Sequence, residues 1–145
     1  MMRRKGFTLV ELVVVILILG ILAGVAAPKM FNTSAKATDN GLKQTLGIIR
    51  DAIELYQAQN GSLPPCTAPG TNFRSALVPF MRGAFPKCPV GPAAAQDNDI
   101  VPVSGAPTGD AAPTSGWKYS TDTGAFICNN GSASATDASV LYSEF

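Results

Sequence analysis

The chain has no histidine among its 145 residues, which removes the commonest general base and the commonest metal ligand. Charge is sparse, at 14% of the sequence. No basic patch interleaved with aromatics occurs, so nucleic-acid binding has no support. Three cysteines allow at most one intramolecular disulfide with one thiol left over. No nucleophile motif, phosphate loop or pair of catalytic carboxylates is found, so bond chemistry is not expected of this chain. After Cys88 a single base, Lys118, stands against Asp97, Asp99, Asp110, Asp122, Asp137 and Glu144.

What is present is segregated. The length allows one modest domain, yet Phe7–Ala27 reads FTLVELVVVILILGILAGVAA, with one charge in 21 residues. As a helix that run rises about 31 Å, enough to cross a hydrocarbon core. Arg3, Arg4 and Lys5 precede it, which predicts a cytoplasmic N-terminus. A secretory signal peptide cut after Val25-Ala26-Ala27 is the rival reading. Against it, the run is too long, Glu11 sits in its first half, and Pro28 follows the cut.

Glu11 is the residue that needs an account, because an unpaired carboxylate in a bilayer costs a few kcal/mol and marks a functional site by default. The plainer alternative is that, four residues from Phe7, it reaches interfacial water. Further along, Gly20 and Gly24 form a small-xxx-small pair that lets helices approach. Pro28 leaves the Gly24 carbonyl without its helical donor and invites a kink.

Arg3-Arg4-Lys5-Gly6-Phe7-Thr8-Leu9-Val10-Glu11-Leu12 resembles the recognition sequence of type IV prepilins and type II secretion pseudopilins. The resemblance implies cleavage between Gly6 and Phe7 by a prepilin peptidase and methylation of the new Phe7 amino group. It also implies that Glu11 of one subunit pairs with the Phe7 nitrogen of a neighbour inside a filament, so that Glu11 sets register.

Beyond the span the period changes. Leu42, Leu46, Ile49, Ile53 and Tyr56 recur at helical spacing, with Ile48, Ala52 and Leu55 widening the stripe. Thr38 or Asp39 marks a fresh helical start, and Asn60-Gly61 a stop before Pro64-Pro65. Core packing is the expected use of the stripe, with a short coiled coil as the lesser one. Asn72–Met81 reads as a helical turn interrupted at Pro79. Trp117–Cys128 reads as a β-hairpin around Thr121-Asp122-Thr123-Gly124, with glycine at the positive-φ position. Ile100–Val103 is a candidate strand inside a Pro-rich surface excursion over 89–116, and Ser139–Tyr142 another.

The expected fold is therefore α+β: a long N-terminal helix packed on a small antiparallel sheet. The divisions are a leader over 1–6, a membrane and polymerisation helix over 7–31, an amphipathic continuation over 32–60, and a periplasmic head over 61–145 with loop 89–116 and hairpin 117–128. Cys66–Cys88 is the first-choice bridge, worth roughly 3 kcal/mol by chain entropy; Cys88–Cys128 and three free thiols stay open.

With Leu63-Pro64-Pro65 after the helix, Phe85-Pro86-Lys87-Cys88-Pro89, and a hairpin over Gly116-Trp117-Lys118-Tyr119 and Thr123-Gly124, the head layout is similar to that of the major pseudopilins. They often hold calcium in a head loop, which makes Asp97, Asp99 and Asp110 weak candidates, although the spacing is not that of an EF-hand and solvated loop acids are the plainer reading. No other cofactor is expected. The resemblance implies a shaft subunit of a type II secretion pseudopilus, or alternatively a type IV pilus subunit. Its implied partners are copies of itself, minor pseudopilins, the prepilin peptidase, an inner-membrane platform and its ATPase. The implied location is the bacterial inner membrane, single-pass, with the head periplasmic and the chain extruded into a filament. A tip subunit that recognises substrate, or a tethered enzyme, are the readings of other classes.

Overall fold

The structure is a computed structural model that describes residues 6–92 and 95–145, apart from the side chains of Pro28, Phe31 and Asn32. The leader residues Arg3, Arg4 and Lys5 lie outside the described residues. Two compact units divide between Ala35 and Lys36.

Helix α1 spans Leu9–Asn60. In the first unit its side chains from Leu9 to Ala27 are all exposed. Among the described residues this is the one stretch long and apolar enough to cross a membrane, with a mean hydropathy of 2.9 over 19 residues. The helix continues through positions 28, 38 and 39, so the expected fresh start at Thr38 or Asp39 is not there. Asp39 is instead buried.

In the second unit α1 is the spine of the head. Leu42, Leu46, Ile49, Ala52 and Ile53 are enclosed on one face, as the 3.6-residue period requires. Ile48 and Leu55 were expected on that stripe and instead lie about half exposed on the flank, because a helix of this width buries only one arc against its partners. The Gly61 N–H donates to the Gln57 carbonyl at 2.8 Å and closes the last turn.

Helix α2 (Thr71–Leu77) presents Phe73 and Leu77 to the core, and a 3-10 turn over Val78–Phe80 follows it. Proline accounts for the change of helix type: Pro79 sits in the first turn of the new element, where its missing N–H is not needed.

Strands β1 (Ile100–Val103), β2 (Trp117–Ser120) and β3 (Phe126–Cys128) form one sheet in the order β1-β2-β3. β2 and β3 are the expected antiparallel hairpin, with Trp117 opposite Cys128 and Tyr119 opposite Phe126. Gly124 has φ 77° in its turn, and Leu63 Cδ2 would lie 2.8 Å from any β-carbon placed there. β1 pairs parallel to β2, Ile100 against Trp117, so the sheet is mixed and not wholly antiparallel. A parallel pair needs a crossover of a dozen or so residues, and 104–116 supplies it without a helix.

The Pro-rich excursion is accordingly structural rather than superficial: Val90, Ala95, Ile100, Pro113 and Ser115 within it are buried. Lys118 fastens the crossover, donating to the Thr108 carbonyl at 2.8 Å and to Asp110 Oδ1 at 2.6 Å.

The core is aromatic. Phe73 stacks parallel to Phe126 at 5.8 Å and lies 4.4 Å from Tyr119, while Trp117 meets Phe126 at 5.3 Å. Ser139–Tyr142 adds no strand, only a bridge between Ala133 and Leu141 before a 3-10 turn over Tyr142–Glu144.

Candidate assembly and anchoring site

The site begins where α1 begins. Thr8 precedes the first helical residue, and its Oγ1 accepts the Glu11 N–H at 3.2 Å. Glu11 Oε2 in return accepts the Thr8 N–H at 2.9 Å and the Thr8 hydroxyl at 2.8 Å. This is a reciprocal capping box, in which N-cap and N3 residues satisfy each other's orphan donors, and a carboxylate in a first helical turn also complements the helix dipole. The Thr-x-x-Glu signature stood in the sequence, and a reading of Glu11 as an intramembrane or interfacial charge does not use it. Within one chain the glutamate already has three hydrogen-bonding relations to Thr8.

Gly6 and Phe7 lie before the helix and are exposed, Phe7 at 82%. Gly20 and Gly24 are exposed, and a β-carbon at either would meet nothing within 4 Å. Both therefore offer a smooth patch, of the kind that admits a second helix at close range. The side chain of Pro28 lies outside the described residues, and the backbone there is helical.

In the head, the sequence candidates separate. Cys66 and Cys88 are not brought together; Cys88 Sγ lies 3.3 Å from Cys128 Sγ, both sulfurs buried, and Cys66 is half-buried elsewhere. The structure thus sets Cys88 against Cys128 and not against the expected Cys66, with all three thiols free. The reason is the hairpin register, which places Cys128 opposite Trp117, next to the strand end where Cys88 packs.

The three acidic calcium candidates are also dispersed into separate tasks. Asp97 Oδ1 accepts the Gly116 N–H at 2.7 Å and the Asp99 N–H at 3.1 Å. Asp99 pairs with Arg74 at 3.2 Å, and Asp110 with Lys118 at 2.6 Å. The Lys118 hydrogen bond, working against burial, holds the Asp110 carboxyl below the usual range. Among the described residues no group of three potential ligands gathers.

Two polar residues of the spine were missed. Asp39 is enclosed and its Oδ2 accepts the Ser134 hydroxyl at 2.5 Å and that of Thr136, while Oδ1 is buried with no hydrogen-bond partner among the described residues. Arg50 donates from Nε and Nη2 to the Phe126 carbonyl and from Nη1 to the Phe145 carbonyl. Both tie the C-terminal residues to α1. The one signal in the sequence was a charge at the edge of an apolar stripe, which a solvated face produces equally well.

Residues 1–27 match the model of the prokaryotic N-terminal methylation motif. Among curated proteins, the chain is 37% identical over 65 residues to the type IV narrow pilus major component PilA5 of Thermus thermophilus, covering 45% of this chain and 56% of that one. It is 36% identical over 64 residues to the type II secretion system core protein G of Klebsiella pneumoniae, covering 44% and 46%. The fimbrial protein EcpB of Eikenella corrodens is 44% identical over 61 residues, covering 42% and 38%. The matched segment spans about half the length of these curated relatives. No solved structure matches. The likeness lies in the amino-terminal segment, which is similar to that of type IV pilins and type II secretion pseudopilins, and the long helix and α+β head are consistent with that class.

Proposed function

We propose that this chain is a shaft-forming pseudopilin of a type II secretion system, a membrane-anchored subunit that polymerises into a periplasmic filament used for protein export. The observation that carries the reading is the exposed junction Gly6-Phe7 followed directly by a capped, wholly exposed apolar helix with Glu11 in its first turn. In this reading the prepilin peptidase cuts between Gly6 and Phe7, removes the charges of Arg3, Arg4 and Lys5, and leaves one ammonium, N-methylated, at Phe7. The head faces the periplasm.

Before assembly, the Thr8 cap satisfies part of the Glu11 hydrogen-bonding capacity and so lowers the cost of holding a carboxylate in lipid. On assembly the Phe7 ammonium of a neighbour supplies the charge. A pair buried in apolar surroundings strongly disfavours arrangements that leave either member alone, so the pair sets register. Gly20 and Gly24 let the helices approach. Copies of the chain, minor pseudopilins, an inner-membrane platform and its ATPase are the partners, and the chain itself catalyses nothing.

A second reading, a type IV pilus subunit forming a surface fibre, is favoured by the similarity to PilA5 and EcpB. The processing test is mass spectrometry of the N-terminal peptide from native membranes: a peptide starting at Phe7 and heavier by one methyl group is expected. A chain starting at Pro28 would end both readings. Deleting the gene separates them: lost secretion supports the pseudopilus, and lost surface fibres with secretion intact overturns it in favour of the pilus.

A further inference from the structure

The head holds two enclosed thiols in contact that the assembly reading does not use. Cys88 and Cys128 stand 40 positions apart, yet their sulfurs lie 3.3 Å from each other. Backbone, not chance packing of side chains, brings them there. Cys128 is the register partner of Trp117. The residue before Trp117 is Gly116, and a β-carbon built on it would lie 2.8 Å from Cys88 Cβ. The missing side chain is thus the space that Cys88 occupies. The Cys88 N–H donates to the Asp97 carbonyl at 2.8 Å, and the Asn129 N–H, next to Cys128, to the Gly116 carbonyl at 2.9 Å. Both cysteines are therefore held on one side of Gly116 by hydrogen bonds of their own or adjacent backbone.

We propose that Cys88 and Cys128 are joined by a disulfide in the mature protein, covalently closing the β1–β3 region, and that Cys66 is the remaining free thiol. The inference rests on the extracytoplasmic placement of the head proposed above, since disulfides persist in oxidising compartments. The oxidant is a disulfide-bearing thiol oxidoreductase of that compartment. One head thiolate attacks its disulfide and releases one of its sulfurs as a thiol. The second head thiolate then attacks the mixed disulfide, forms the Cys88–Cys128 bond and releases the other sulfur as a thiol. Two electrons and two protons pass from the head to the oxidant. Because both sulfurs are enclosed in the finished fold, exchange takes place before the head closes. Afterwards the bridge is shielded from small reductants.

The leftover thiol is suited to staying out of this exchange. Cys66 is half-buried away from the pair, and burial, offset only in part by the Arg74 charge, pushes it up to about 11, so little thiolate exists near neutral pH.

The test uses the unaltered chain from native membranes, acid-trapped, denatured and treated with a maleimide before and after reduction. One label on Cys66 before reduction and three labels after it are expected. No lysine or arginine lies between Cys88 and Lys118 or between Tyr119 and Phe145. Trypsin without reductant should therefore yield peptide 88–118 joined to 119–145, two hydrogens lighter than their sum. Three labels before reduction, or a linked peptide carrying Cys66, would overturn the proposal. Proteinase access to the head in spheroplasts is measured alongside: three free thiols on an accessible head sinks the bridge alone, whereas a protected head sinks the placement as well.

Discussion

Between Leu9 and Ala27 the side chains are mostly large aliphatics, and all are left exposed, whereas past Lys36 the apolar face of α1 and the rings of Phe73, Trp117, Tyr119 and Phe126 are enclosed. One helix thus carries two kinds of hydrophobic surface. The first lacks any periodic polar face and is exposed from Leu9 to Ala27. The second alternates apolar and polar residues with the helical period and is covered by strands folded from the same chain. The difference teaches that hydrophobicity here is divided by solvent: uniform apolarity belongs to a lipid or to neighbouring helices, amphipathicity to the molecule's own core. It also explains where the charges sit. Glu11 is capped locally by Thr8, while the hydrogen-bond partners of Asp39 and Arg50 lie 76 to 97 positions away.

The comparison breaks most sharply at Glu11. Glu11→Ala should leave the subunit in the membrane but reduce sheared, pelletable filaments by more than about tenfold, because in the proposed filament it strands the Phe7 ammonium of a neighbour. Normal filament yield on an immunoblot would remove the role given to the carboxylate. In the head the largest effect is expected from Phe73→Ala, about 3–5 kcal/mol of stability, read as a lowered midpoint of head unfolding by near-UV circular dichroism. Leu12→Ala, an equally apolar truncation in the exposed stretch, should leave that midpoint unchanged. If both variants shifted it alike, the two surfaces would not be independent.

Asp39 sharpens the comparison from the polar side. Asp39→Ala leaves the hydroxyls of Ser134 and Thr136 without their acceptor and should cost about 1–3 kcal/mol, with faster amide exchange in the C-terminal residues. Burial opposes the charge on Asp39, but the Ser134 and Thr136 hydroxyls outweigh it and hold the carboxyl below its ordinary value. A carboxyl depressed in the folded state contributes stability that is present above its unfolded pKa and is lost as pH falls through the folded one. Head stability should therefore decline on acidification below the ordinary aspartate range, about 4, and Asp39→Asn should flatten that decline in an unfolding series against pH. The smallest effect belongs to Thr8. Thr8→Ala should cost about 1 kcal/mol of helix start, seen as fraying at Leu9–Leu12 by NMR in detergent, and Thr8→Ser should restore it.

Much of this was legible. The membrane-length run, the apolar period over Leu42–Ile53 and the hairpin with Gly124 in its turn all follow from local rules, because each is fixed by residues close in sequence. Other features were not. The parallel pairing of β1 depends on a crossover through 104–116 whose prolines looked like solvent loop. Ile48 and Leu55 look identical to Ile49 and Ile53 until a partner chooses which arc to cover. Asp97, Asp99 and Asp110 looked like one acidic group, yet each has its own donor.

The sequence by itself determined the anchor: Gly6-Phe7, the Thr8–Glu11 box and the apolar helix are contiguous, and hydrogen bonds three and four residues apart need nothing beyond the helix that makes them. Only the tertiary structure decided the head's closures. Which cysteine meets Cys88, and what hydrogen-bonds to Asp39 and Arg50, depend on contacts across 40 to 97 positions. Such contacts exist only once sheet register and core packing have brought the segments together.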